Sequence, residues 1–244
     1  MFGTRITLAK NAKDEAEKPF WISYADLMTA LMVLFLVAMS VALLAVTKKV
    51  DESEQLEKER KADIEVCLDQ VAQAAQEIGD IQVDRQRYAI DFGPRAHFER
   101  NQFAVKKETA ARLRGFSRRV LEIARMECGK NWLRRVYIEG YASLEGTYLH
   151  NLNLSLNRSH NVLCVLLAPQ AGYENSLTRE EQEEARKLFL VGGDSFNSPQ
   201  KNDEDSRRIE LRLDFFEKKK TEKPEVGPNV DLGKCEVGNS ARTD

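Results

Sequence analysis

Between Phe20 and Val46 the chain carries a single charge, Asp26, in a run of 27 residues. A helix needs roughly 20 predominantly apolar residues to cross a bilayer. Inside lipid, each backbone N–H and C=O must be satisfied within the segment, so a lone span has to be a helix. The run exceeds the apolar core of a signal peptide, and no small-x-small cleavage site precedes a polar mature start. It therefore reads as an uncleaved anchor. An acid at the middle of such a helix costs about 2.5–3.5 kcal/mol on insertion scales, and no Lys or Arg lies within the span to offset it. Loss of water favours the neutral form of a carboxyl group. Asp26 is thus the candidate for a group that takes up and releases an ion, with Ser23 and Thr29 as candidate hydrogen-bonding neighbours. The plainer reading is an acid about two turns inside the helix that reaches back to the headgroups. Ser23, Asp26, Ala30, Val33, Val37, Ser40 and Leu44 share one helical stripe, whose small and polar members suit a face turned to protein rather than lipid. Trp21 and Tyr24 suit anchoring at the interface.

Charge does not orient this helix. Arg5, Lys10, Lys13 and Lys18 precede it, and Lys48, Lys49, Lys58, Arg60 and Lys61 follow. Neither side dominates, so the positive-inside rule leaves the topology open. The net charge of −2, without a basic patch interleaved with aromatics, argues against nucleic acid as a partner. The four cysteines, Cys67, Cys128, Cys164 and Cys235, form no CxxC pair. The three histidines (His97, His150 and His160) do not share ligand spacing with them, so no metal site or cofactor is expected. Outside the cytoplasm such cysteines are free to form disulfides. Cys164 lies in an apolar helical stretch and reads as a core residue. Cys128 and Cys235 are candidates for a bridge, although spacing alone does not decide pairing. No nucleophile–base pair or phosphate-binding loop is evident, so no enzymatic activity is expected.

The remainder divides by composition. Residues 1–19 form a polar tail closed by Pro19, and 20–46 the membrane helix. Residues 47–83 read as a charged helical linker. Ile64, Cys67, Val71, Ala74 and Ile78 follow heptad spacing there, which fits a helix packed against its own copy. In a parallel pair Cys67 would face its counterpart; the alternative is a solvated linker with a free thiol. From residue 84 strands and helices alternate. Strands are expected over 87–92, 136–140 and 208–215, with a further one beginning at 190–191. Helices are expected over 105–127 and 151–167, and after the capping box of Thr178 and Glu181. Alternation of this kind implies a sheet covered by helices. Residues 217–244 read as a Lys-, Pro- and Gly-containing tail. The expected fold class is a single N-terminal transmembrane α-helix, a helical linker, and an α/β domain over 84–216.

Two stretches resemble known families. Ser23-Tyr24-Ala25-Asp26-Leu27-Met28-Thr29-Ala30 is similar to the start of the membrane helix in MotB-type stator subunits, where the Asp binds the transported ion. The stretch from Ile138 through Gly140, Tyr141, Ala142 and Ser143 to Gly146 resembles the OmpA-like peptidoglycan-binding domain. So do Asn151, Leu154, Ser155, Arg158 and Val162, and then 207–210. The two matches fall in the family's order and cover most of the chain. The resemblance implies an inner-membrane protein with a cytoplasmic tail and a periplasmic domain. It implies a homodimer within a ring of MotA-like (in defence systems, ZorA-like) subunits, surrounded by lipid, bound to peptidoglycan, and moving protons rather than sodium. Such subunits serve the flagellar stator and the Zorya antiphage defence motor. The short chain, brief tail and divergent wall motif favour the ZorB layout of the latter.

The wall motif departs from its family at one point. The family's Asp, which holds the ammonium group of the ligand's diamino acid, is absent: Ala142 and Ser143 stand at the matching positions. Arg158 matches the family's Arg, which pairs with the ligand carboxylate. Ser143, Asn151, Leu154 and Arg158 are therefore the expected peptidoglycan-binding residues. Glu145 stands two residues beyond the lost carboxylate, either as its replacement or simply as a loop acid. Asn151 and Leu154 also suit the capping and packing of their own helix.

Overall fold

One helix, α1 (Lys13–Ile78), supplies residues to two compact units, one up to Lys58 and one from Glu59 onward. The computed structural model describes residues 13–167, 177–219 and 232, and the side chains of all of these except 13–20 and 95. In the first unit α1 begins ahead of Pro19, at Lys13, rather than after it. Residues 21–50 are exposed on every side, including Leu34, Phe35 and Leu44, and the helix is long and apolar enough to cross a membrane. Its hydroxyls fold back onto their own helix. Thr29 Oγ1 donates to Ala25 O (3.0 Å) or Asp26 O (2.9 Å), and Ser40 Oγ to Leu36 O (2.7 Å). Polar groups in a lipid-facing helix need this kind of internal satisfaction.

In the second unit the end of α1 is a core element. Ile64, Cys67, Leu68, Val71, Ala74 and Ala75 are buried in the same cluster as Val120, Val136 and Leu211. The heptad stripe thus packs against its own chain. This corrects the expectation of a separate linker whose stripe meets a second copy, and moves the start of the unit from 84 back to Glu59. Apolar spacing shows that a face must be covered, without showing by what. Polar contacts pin the same helix: Trp132 Nε1 donates to Asp63 Oδ2 (2.8 Å), Arg60 Nε donates to Phe216 O (2.9 Å), and Arg85 bridges Glu65 and Asp69 at 2.9 and 2.6 Å.

A disulfide joins Cys67 to Cys128, with Cα atoms 5.6 Å apart. It replaces both sequence-derived candidates, the Cys67 pair across two copies and the bridge from Cys128 to Cys235. Cys164 is buried, as expected, but is disulfide-bonded as well. Cys235 lies outside the described residues.

The sheet has the order β1-β2-β5-β3-β4. Strands β1 (Gln82–Asp84) and β2 (Ala89–Asp91) form a hairpin where one strand over 87–92 was expected. The turn there accepts Tyr88 at φ 54°, and Asp84 Oδ1 accepts the amides of Gln86 and Arg87, a side chain mimicking a backbone turn. Strand β3 (Leu133–Gly140) pairs antiparallel with β5 (Ile209–Phe215) and parallel with β4 (Phe189–Gly193). Val136, Ile138, Ile209, Leu211 and Leu213 face the core. Helices α2 (Lys107–Arg125), α4 (Tyr148–Leu167) and α5 (Arg179–Leu188) follow the expected order, and α3 (Glu127–Trp132) is an additional helix between α2 and β3. Helix α2 ends at Arg125, two residues before the expected 127, with Met126 as its C-cap and as the N-cap of α3. The capping box of Thr178 and Glu181 is formed. A short α6 (Asp203–Ser206) precedes β5.

Helix α4 lies directly on the sheet, because Gly140 and Gly193 present no side chain to it. A Cβ at Gly140 would run into Ser155 O, and one at Gly193 into Ser155 Oγ. On the other side of the strands, Arg208 and Glu210 form a buried ion pair (2.8 Å), with the Arg208 guanidinium 4.0 Å from the Tyr141 ring centre. The Tyr141 hydroxyl lies 2.8 Å from Glu139 and 3.3 Å from Glu210. Burial, then those two carboxylates, push its proton affinity well above the ordinary phenol range.

A bridge across 61 residues removes about 4 kcal/mol of chain entropy from the unfolded state. The Cys67→Ser, Cys128→Ser double variant is therefore expected to unfold at lower urea, by about that free energy. An unchanged urea midpoint would show that the bridge contributes nothing to stability.

Candidate functional site

Each unit carries one candidate site. On α1, Asp26, Thr29, Ala30, Val33, Leu34, Val37 and Ala38 line a shallow concavity along one helix face. The spacing of three and four residues puts the carboxylate at one end of a strip of small and β-branched side chains, the texture that lets another helix approach closely. Ser23 lies one turn before Asp26 on the same face. Thr29 does not bond the Asp26 carboxyl group. Its hydroxyl proton goes to the carbonyls of residues 25 and 26, because a Thr in a helix reaches its own preceding turn more readily than a neighbouring side chain.

The second site is a cleft of about 110 Å³ at the carboxyl end of β3, lined by Arg100, Asn101, Ser143, Glu145, Gly146, His150, Asn151, Leu154 and Arg207. Three of the four expected wall-binding residues, Ser143, Asn151 and Leu154, line it. All three are buried. Asn151 Nδ2 donates to Glu145 O (2.8 Å), fixing a loop that turns through Gly146 at φ 97°. Asn151 is thereby a clamp on the loop as well as a wall of the cleft.

Arg158 does not line the cleft. It is fully buried, and its guanidinium is committed to backbone. Nε donates to Gln102 O (3.0 Å), Nη1 to Tyr141 O (2.5 Å) and Nη2 to Glu99 O (3.3 Å). Its Cζ lies over the Phe98 ring, 4.9 Å from the ring centre. No carboxylate among the described residues reaches it. Burial, with the Arg207 cation as a second cause, lowers its pKa to about 9. Arg158 thus ties the 99–102 loop to the end of β3, and Asn161 Nδ2 holds Phe103 O (2.9 Å) on the same loop.

The charged groups in the cleft were not apparent as a set in the sequence. Arg100 and Glu145 form an ion pair across the mouth (2.8 Å), with side chains 70% and 43% exposed. Asn101 and His150 meet beside them (3.4 Å). Arg207 donates Nε to Phe98 O (3.0 Å). Glu145 was visible from its place in the motif loop. Arg100 had no local signal, being 45 residues away from Glu145.

A membrane-length helix with one internal acid, followed by a mixed-sheet unit with a polar cleft, is the layout of a MotB-type stator subunit. The family described as the membrane MotB of the proton-channel complex MotA/MotB matches residues 7–59. Along 242 residues the chain is 41% identical to the Zorya protein ZorB of Escherichia coli O139:H28 (strain E24377A / ETEC), covering 97% of this chain and 98% of that one. The chain belongs to the ZorB family. It is also similar to a putative MotB-like protein from Desulfovibrio vulgaris (17% identity, 66% of this chain, 98% of that one, TM-score 0.42). A third similarity is to the type VI secretion system cell-wall anchor of Pseudomonas aeruginosa (17% identity, 60% and 96%, TM-score 0.40).

Lys at position 158 cannot serve three carbonyls arranged for a planar fork. Arg158→Lys is expected to lose about 3 kcal/mol of stability, since hydrogen bonds from charged donors contribute about 1.5–3 kcal/mol each. Chemical denaturation checks this; wild-type stability in the variant would refute the clamp.

Proposed function

We propose that this chain is the ion-carrying, wall-anchored subunit of a rotary membrane motor in Zorya antiphage defence. The observation that carries the reading is Asp26, the single charge of the 20–46 span, in a chain that belongs to the ZorB family. In this reading α1 crosses the inner membrane with its N-terminus in the cytoplasm. Two copies sit inside a ring of ZorA-like subunits, and the second unit lies in the periplasm. Asp26 takes a proton from the periplasmic side and yields it to the cytoplasmic side. Each charge moved delivers about 2.3 kcal/mol per 100 mV. Neutralising the carboxylate changes how the stripe through Ala30, Val33 and Val37 packs in the ring, a local charge event with a mechanical readout. Thr29 keeps its hydroxyl oxygen available as an acceptor for a passing water. The polar cleft holds the stem peptide of peptidoglycan, so that the ring turns against a fixed subunit. The Cys67–Cys128 bridge supports the periplasmic assignment, because disulfides persist in oxidising compartments. The reading involves no catalytic step.

Asp26→Asn is expected to abolish phage protection at unchanged protein level, with the full operon present. Plating efficiency of phage on cells carrying each variant measures this. Full protection by Asp26→Asn would reduce the chain to a passive anchor.

A further inference from the structure

Strand β4 is an open edge of the sheet. It pairs with β3 on one side and with no other strand among the described residues. Asp194 N donates to Gly140 O at the end of β3 (3.0 Å). Successive residues of a strand turn their backbone groups to alternate sides, so the amides and carbonyls of Phe189, Val191 and Gly193 point to the free edge. Such a row is a template for another strand, and native edges are guarded against it by charge, proline or shortness. The opposite edge, β1, is guarded: it is three residues long and ends on Asp84, which pairs with Arg87. Strand β4 is not, since Phe189–Gly193 holds neither charge nor proline. We infer that β4 is an interaction surface for a second copy of this chain, the two β4 strands pairing antiparallel about a twofold axis at Val191 so that one sheet runs through both copies. This rests on the two-copy reading above and names the surface that joins the copies.

Three observations commit the edge to a copy of the same chain. First, exposed apolar side chains gather there. Among the described residues of the second unit, all the large exposed ones but Val66 and Met126 come from three places: β4 (Leu190 and Val191), α4 (Tyr148, Leu149 and Leu156) and the loop that enters α4 (Leu144). Leu149 and Leu156, seven residues apart, share one helix face. Leu156 lies against the end of β4, its Cγ 2.8 Å from where a side chain at Gly193 would begin. Gathered apolar exposure of this kind marks protein contacts. Second, the strand is complementary to itself in shape. With Val191 on the axis, Phe189 meets the partner's Gly193 and Leu190 meets the partner's Gly192, so each large side chain stands opposite a residue without one. Third, the ends are complementary in charge. Lys187 precedes the strand and Asp194 follows it, and an antiparallel copy brings the partner's Asp194 to the Lys187 end. Membership of one membrane assembly makes the pairing intramolecular in effect and raises the local concentration of the second edge.

The test uses the full chain in detergent, with a short bismaleimide as thiol crosslinker and with light scattering, corrected for bound detergent, as the measure of mass. Cys67, Cys128 and Cys164 are already bonded, and wild type sets the background for the rest of the chain. Val191→Cys is expected to shift most of the protein to a crosslinked dimer. Gln82→Cys, on the guarded edge, should stay at background. Adding Leu190→Lys to Val191→Cys places a charge from each copy on the seam and should abolish the crosslink. Melting is compared for every variant, and Leu190→Cys takes the place of Val191→Cys if the latter melts early. A dimer mass without a crosslink at Val191→Cys overturns the edge assignment while leaving the two-copy reading in place. Equal crosslinking of Gln82→Cys, or a crosslink that survives Leu190→Lys, overturns it as well. A monomer mass for wild type overturns the two-copy reading, and the assignment with it.

Discussion

A single buried guanidinium holds the cleft together. Arg158 reaches from α4 to Glu99 O, Gln102 O and Tyr141 O, so one side chain joins the loop before α2, the end of β3 and the helix between them. A buried cation without a carboxylate partner is expensive, and it is retained where several dipoles are aimed at it. Here the carbonyls do that work and the Phe98 ring adds its negative face. In exchange, two loops distant in sequence are held at a set spacing, and that spacing brings Arg100 opposite Glu145.

The close approach of α4 to the sheet is the second requirement. Gly140 and Gly193 leave no room for a side chain beneath Ser155. Ser155 Oγ in turn accepts the amide of Ser195 (3.1 Å) and donates to Leu152 O (2.9 Å). The two glycines thus set the depth at which Arg158 and Asn151 enter their loops. The end of α1 closes the other side of the core through Ile64, Leu68 and Val71, locked by the Cys67–Cys128 bridge.

Between the two units the physics differs. The second unit satisfies its buried charges within the protein, Arg208 by Glu210 and Arg158 by backbone carbonyls, and its stability comes from burial of apolar area. The first exposes apolar residues on all faces and satisfies its hydroxyls internally, the solution a lipid solvent demands. Asp26, the single charge between residues 20 and 46, is the exception to that solution.

Much of this was legible from residue order. The charge-poor run with Asp26 needs only hydropathy and length. Val136, Ile138, Leu211 and Leu213 alternate as strand positions must, and Thr178 with Glu181 signals a helix start within four residues. These are local patterns, and local physics enforces them. Arg158 was legible as a motif position but not as a clamp, because its three carbonyl partners sit 17 to 59 residues away. The heptad stripe announced an apolar face, yet only the packed chain showed that its own core covers it. Cys67 found Cys128, rather than its own copy, for the same reason. Periodicity states that a surface must be buried or a charge satisfied; which distant group satisfies it is decided only when the tertiary structure brings the candidates together.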